Sequence, residues 1–423
     1  MKRFLTILFF QFTCTFNFAQ STPFILKGAL KENRRQLYRN LVNNVIHKNL
    51  SLTLNDSTEE LWQDAFWAME LLHYRSAWAD NRIHSAFSNI QHNSQVFQRA
   101  LLELAFSNYS GIFLKQIERL MLQAKDSKIF AMCAVYILSG TQSLKEIAFL
   151  KDNTSGRLRD NEGDPILQQL QFQLQHYHDD FPLLSIRSLF SKSFLPGNIL
   201  IISVQRSNRN YPGLVFVRDA EGNFIKNGTD FFSVPQLARS LSNLPGYLTN
   251  GNTPEGIFRM DGFDTSQSSY IGPTTNIQLT MPFENSKAHF YKDSLVKDSG
   301  WHIDQYKNLL PAELKSYFPL QQSYFAGKSG RTEIIAHGTT IDPVYYRDQS
   351  YFPLTPTLGC LCTKEIWNEE TGRLLESDQQ KLVDALIKAG GPDGYAIVIN
   401  LDDQQKPVSL SEINEFMSSE HKD

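Results

Sequence analysis

The chain has 423 residues, with 41 Lys and Arg against 44 Asp and Glu, a net charge of −3 and 4 cysteines. No Lys/Arg run exceeds two residues, which excludes the basic stripe that nucleic-acid binding needs, and the cysteine count excludes a disulfide-stapled scaffold. At about 150 residues per domain the length predicts two or three domains, each able to bury its own core.

The N-terminus reads "MKRFLTILFFQFTCTFNFAQ". Its charge lies in front, at Lys2 and Arg3, and an apolar run follows to Ala19, too short to be a comfortable membrane span. This is the pattern of a secretory signal peptide over 1–19, with the mature chain starting near Gln20. The residues before Cys14, "QFT", lack the small pair expected at a lipidated cysteine. Beyond the signal no apolar run approaches the roughly 20 residues that cross a bilayer. The expected location is periplasmic or otherwise extracytoplasmic, where disulfides can form. Processing would leave Cys133, Cys360 and Cys362.

From 20 to 194 the apolar residues recur at helical spacing, as in Trp62, Ala65, Phe66 and Met69 or Ile129, Met132, Cys133, Tyr136 and Ile137. The segment predicts an all-helical domain without a fixed repeat period, and a protein partner is one role for it. "STEE" at 57–60 predicts a helix start capped by Ser57. Cys133 lies on an apolar stripe and reads as a small hydrophobe. Trp62, Trp67, Trp78 and Tyr109 read as core rather than as a ligand groove. "KDNTSGRLRDNEGDP", 151–165, reads as a loop before a glutamine-rich helix.

After "FLPGN", 194–198, the texture becomes β-branched: "ILIISVQ", "GLVFVRD", "NIQLTMPF", "TEIIAHG" and "YAIVINL". One helix is expected behind Ser377 as cap, with Leu382, Leu386 and Ala389 on one face and "GGP" at 390–392 as stop. The stretch from Phe283 to Gly330 has the length of a lid or insertion. The fold class is therefore α+β, a helical domain followed by a β-rich domain over 195–402, with 403–423 as a C-terminal tail.

The strand "TEIIA" delivers His337 and Gly338 at its exit, and a later turn delivers Thr357, Gly359 and Cys360. A cysteine nucleophile needs such a partner, because a free thiol is mostly protonated at neutral pH and an imidazole can take its proton. A glycine before it permits a tight turn that leaves backbone N–H groups for an oxyanion.

"IIAHGTT" followed by "TLGC", with "NGNTPEGIFRMDG" upstream at 250–262, resembles the motif set of the L,D-transpeptidase (YkuD-like) catalytic domain. The resemblance covers about 196–402 and leaves the helical half aside. It implies Cys360 as nucleophile, His337 as base, the Gly338 carbonyl orienting the imidazole, and Gly359 with Thr357 at the oxyanion and substrate site. Thr253 and Gly256 match the flanking Thr-Pro-x-Gly segment. The implied substrate is the peptidoglycan stem peptide and the implied reaction is acyl transfer through a thioester, with no metal or organic cofactor.

Two positions depart from the family pattern. Leu358 replaces the histidine before Gly-Cys, and Cys362 replaces the Arg or Asn that grips substrate, a role a thiol cannot take over. The link from His337 to Cys360 is also longer than usual. "KEIWNEETGRLL" reads as a hairpin, so no helix N-terminus is invoked to acidify the thiol. Other readings stay open. They are a reversible Cys360–Cys362 disulfide, a zinc site with His337 and His302 or His289, a plain strand-end histidine, a carboxypeptidase using water, and a non-catalytic wall-binding scaffold.

Overall fold

The computed structural model describes residues 24–141, 143–177, 186–295 and 300–417. The expected signal peptide, Cys14 and the start near Gln20 lie outside the described residues. No described helix is long and apolar enough to cross a membrane. The molecule is mixed α+β, with helices first and then a closed eight-stranded barrel.

The helices form where apolar spacing and caps coincide. Asp126 caps Ser127–Gly140 by accepting from the Ile129 N–H, and Ile129 through Leu138 are all buried, Cys133 among them. Asp164 caps Pro165–Gln175, which has proline in its first turn. Two expectations fail locally. The loop read over 151–165 is mostly helix, Leu144–Asp160, because Ile147, Leu150 and Thr154 continue one buried stripe past the polar residues. The helix Glu59–Leu72 follows Thr58 without a side-chain cap, and Glu59 instead accepts from Asn93 (2.8 Å) and the Ser94 N–H (3.1 Å) at the start of the helix Gln95–Asn108. Trp62 and Tyr109 are core, whereas Trp78 is exposed and stacks on His47 at 4.7 Å.

The strands are β1 (Ile199–Gln205), β2 (Gly213–Arg218), β3 (Lys226–Asn227), β4 (Asp230–Phe231), β5 (Val234–Leu237), β6 (Gly256–Thr265), β7 (Thr275–Thr280), β8 (Ile335–His337), β9 (Leu361–Thr363), β10 (Glu365–Trp367), β11 (Leu374–Ser377) and β12 (Gly394–Asn400). The barrel runs β1-β12-β6-β7-β8-β9-β5-β2, with parallel pairing at β1/β12 and at β8/β9. β10 and β11 form the expected hairpin.

Alternation sorts the side chains. Ile201, Val215, Val217, Phe258, Met260, Ala336, Leu361 and Val398 fill the barrel together with Leu382 and Leu386 of the helix Asp378–Lys388. That helix is capped as expected, Ser377 Oγ accepting from the Gln380 N–H at 2.8 Å. Leu200, Ile202, Phe216, Tyr395 and Ile397 face outward into a second core.

That second core absorbs the stretch read as a lid or insertion. Phe290, Tyr306, Leu310, Leu314, Leu320 and Tyr324 are buried against the outer barrel face, so the described part of 283–330 is a packed layer. The expected tail is also built in. Ile413 of Leu410–Met417 is fully buried, and Arg206 pairs with Asp402 (2.6 Å) and Glu412 (2.8 Å). Burying one Ile side chain is worth about 1.5–3 kcal/mol. The helical half does not stand apart, since Leu244, Tyr247 and Leu248 from the loop before β6 belong to its core.

Candidate active site

β8 lies between β7 and β9, and the parallel register sets Ala336 beside Leu361 and His337 beside Cys362. Ala336 and Leu361 face the barrel core, so His337 and Cys362 point to the other face of the wall. Cys360 stands just before β9, and its thiol donates to the Glu333 carbonyl at 3.6 Å, on the chain entering β8. Glu333 adopts φ +63 without being glycine, a backbone state that costs about 1–3 kcal/mol and persists only where its surroundings enforce it. Its N–H donates to Glu284 at 2.8 Å.

The turn before the thiol is tied from both sides. Thr357 Oγ accepts from the Gly359 N–H and donates to the Cys360 carbonyl, each at 2.9 Å. Thr253 is fully buried and its hydroxyl donates to the Gly359 carbonyl at 2.8 Å. Gly359 has φ +120, and a Cβ there would lie 2.0 Å from Nη2 of Arg331 and 2.6 Å from the Gly251 carbonyl oxygen. Only glycine fits this turn.

His337 is buried, and its Nδ1 bonds the Gly338 carbonyl. A carbonyl only accepts, so Nδ1 carries the proton and Nε2 keeps its lone pair. Burial pulls the imidazole down to about 4, against the opposing pull of the Gly338 carbonyl. It is neutral at pH 7. Burial also pushes the half-buried Cys360 thiol up, opposed by the Ile335 backbone and by Arg331, so the resting sulfur is a thiol.

Cys360, Gly359 and Thr357 share one turn and Thr253 bonds to it from the loop before β6, while His337 ends the neighbouring β8 in register with Cys362 and Gly338 follows it. Two expected site residues have packing surroundings. Gly256 opens β6 where a Cβ would meet Ser323 Oγ at 2.3 Å and the Tyr306 hydroxyl at 2.5 Å, so it permits close packing. Cys362 is fully buried, with its sulfur 3.9 Å from Thr355 Oγ, and burial pushes its thiol to about 12. The Gly359 N–H, expected to serve an oxyanion, is engaged by Thr357. Leu358 beside it is 52% exposed.

Cys133, Cys360 and Cys362 are free thiols. His289 bonds Asp261 at 2.6 Å, and among the described residues no group of three or more His, Cys, Asp or Glu side chains is set to hold a metal.

Two residues escaped the sequence reading. Arg331 is buried and donates to the carbonyls of Gly246, Gly251 (2.6 Å) and Asn252 (2.7 Å). Glu365 is buried directly against Gly338, where a Cβ would meet its carboxylate carbon at 2.2 Å, and it accepts from Ser377 Oγ at 2.8 Å. Burial pushes this carboxyl up to about 7, against the hydrogen bond from Ser377. "SGRTEIIAH" put an arginine six residues before the histidine, a spacing without meaning until the strand is built.

Comparison with family models, with curated proteins and with solved structures returned no match to the chain.

Proposed function

We propose that the chain is an exported cysteine acyltransferase acting on peptidoglycan stem peptides, with 195–402 as an L,D-transpeptidase-like domain. The observation that carries the reading is that the neighbouring strands β8 and β9 bring two features into one wall of the barrel, with Cys362 rather than Cys360 in register with His337. One is a glycine turn that presents Cys360, and the other is a neutral His337 whose Nδ1–H is committed to Gly338.

In this reading Nε2 of His337 accepts the Cys360 proton as the sulfur attacks the carbonyl after the diamino acid of a tetrapeptide stem. The C–N bond breaks, the imidazolium returns its proton to the leaving D-alanine amine, and a thioester remains. An amine of a second stem or of a protein then attacks, its proton passes to His337, and the thiol is restored. Water as acceptor would give an L,D-carboxypeptidase instead. The Cys360 N–H is the oxyanion donor we assign, since Thr357 already takes that of Gly359.

The test is incubation of the mature protein with tetrapeptide muropeptides and, separately, with a carbapenem. Release of D-alanine, and an intact-mass adduct that is lost in Cys360→Ala, are the expected results. Neither appearing on folded protein sinks the enzyme reading and favours a wall-binding scaffold. The burial of Cys362, where the resembling family keeps a substrate-gripping polar residue, is the observation on that side.

A further inference from the structure

Behind the Cys360 turn sits a buried cation whose three hydrogen bonds go to carbonyls rather than to a carboxylate. Removing a guanidinium from water without an ionic partner is costly, and a cation close to a thiol favours its ionised form. Nη2 of Arg331 lies so close behind Gly359 that a Cβ would be 2.0 Å away, and Cys360 is the next residue. The sulfur itself rests on the carbonyl of Glu333, two residues from Arg331.

The carbonyls that clasp Arg331 belong to the loop 246–252, and the helical half fixes that loop. Leu244, Tyr247 and Leu248 are in its core, the Tyr247 hydroxyl donates to Gln173 (2.9 Å), Lys128 donates to Thr249 Oγ (2.8 Å) and Asn250 donates to Glu103 (3.0 Å). We propose that Arg331 is a positioning residue that stabilises the Cys360 thiolate from behind the turn, and that the helical half serves this step by clamping the loop 246–252 around it. The proposal rests on Cys360 being the nucleophile. Other charged groups bear on the same pair: Glu284 faces Arg331, Glu333 opposes ionisation of Cys360, and Lys128 approaches Arg331 from the helical side.

Alkylation of the full mature chain by iodoacetamide, followed by peptide mass at Cys360 across pH 6–10, reads the thiolate directly. Arg331→Gln is expected to raise the alkylation midpoint by about one pH unit and to slow the reaction at pH 7.5 about tenfold, with Arg331→Lys restoring most of the shift. A merely structural arginine would change the melting temperature and leave the midpoint alone. A cooperatively folded Arg331→Gln with the wild-type midpoint overturns the proposal. If that variant does not fold, Asn250→Ala tests the clamp from its far side: a rise of about half a unit is expected, and an unchanged midpoint removes it. Alkylation does not depend on the substrate. An Arg331-dependent midpoint in a protein that neither releases D-alanine nor takes a carbapenem adduct would end the acyltransfer reading and leave this one standing.

Discussion

The segment 357–363 has two ends with different surroundings. At its start Cys360 is half-buried on a glycine turn, in contact with a strained Glu333 backbone and within the field of Arg331. Two residues on, Cys362 is sealed between Thr355 and the Thr363 carbonyl, with no exposed surface. Identical side chains thus have opposite prospects, because access and a nearby cation make a thiol reactive whereas burial alone makes it inert. If the comparison is right, every strong kinetic effect belongs to the first end and only packing effects to the second.

The largest expected effect falls on the proposed nucleophile and base. Cys360→Ala is expected to lower D-alanine release by at least about 10³-fold, and His337→Gln by about 10²–10⁴-fold, both measured as kcat/KM on folded protein. Equal activity in Cys360→Ala would move the chemistry away from this turn altogether. Gly359→Ala follows: it puts a Cβ onto Arg331 and the Gly251 carbonyl at φ +120, and should cost about 2–4 kcal/mol in a denaturant melt together with most of the Cys360 alkylation rate.

Two protons sharpen the comparison through stability. His337 titrates at about 4 when folded and near 6.5 otherwise, so its burial contributes fully above 6.5 and is lost as pH falls towards 4. Glu365 runs the other way. Raised from 4.5 to about 7, it contributes fully below 4.5 and loses that contribution as pH rises through 7. Glu365→Gln should therefore stabilise the protein at pH 8 relative to pH 5 by about 1–3 kcal/mol compared with wild type, read as the pH dependence of urea melts. A parallel pair of profiles would show that Glu365 is not a buried acid.

What the sequence displayed and what it hid follow from range. Helices around Ile129–Leu138, the Ser377 cap and the strands feeding His337 are written in local periodicity and capping chemistry. The turn at Gly359 was legible because glycine tolerates positive φ without strain and the motif it resembles sets it before the cysteine. Arg331 and Glu365 were not, since each matters only through contacts that barrel closure creates, to the loop 246–252 and to Gly338. The same holds for the 283–330 stretch, whose aromatic residues lack a period because short helical turns deliver them one by one to the barrel's outer face. Charge misled at 151–165, where polar residues on a helix face looked like a loop.

Cys362→Ala is the smallest expected effect and the one that tests the second end. Its sulfur contacts are long, 3.9 Å to Thr355 Oγ and 3.6 Å to the Thr363 carbonyl, and neither is the kind of bond that orients a substrate. Removing the sulfur leaves a void of about one atom, which costs about 1 kcal/mol, and leaves Thr355 bonded to Thr339 at 2.8 Å. The acyl-transfer rate should stay within about threefold of wild type, and iodoacetamide should label Cys362 only after denaturation. A large loss in kcat with unchanged stability, or native-state labelling at Cys362, would mean that the wall opens during turnover. Cys362 would then reach the substrate after all, and the contrast with Cys360 would be one of conformation rather than of place.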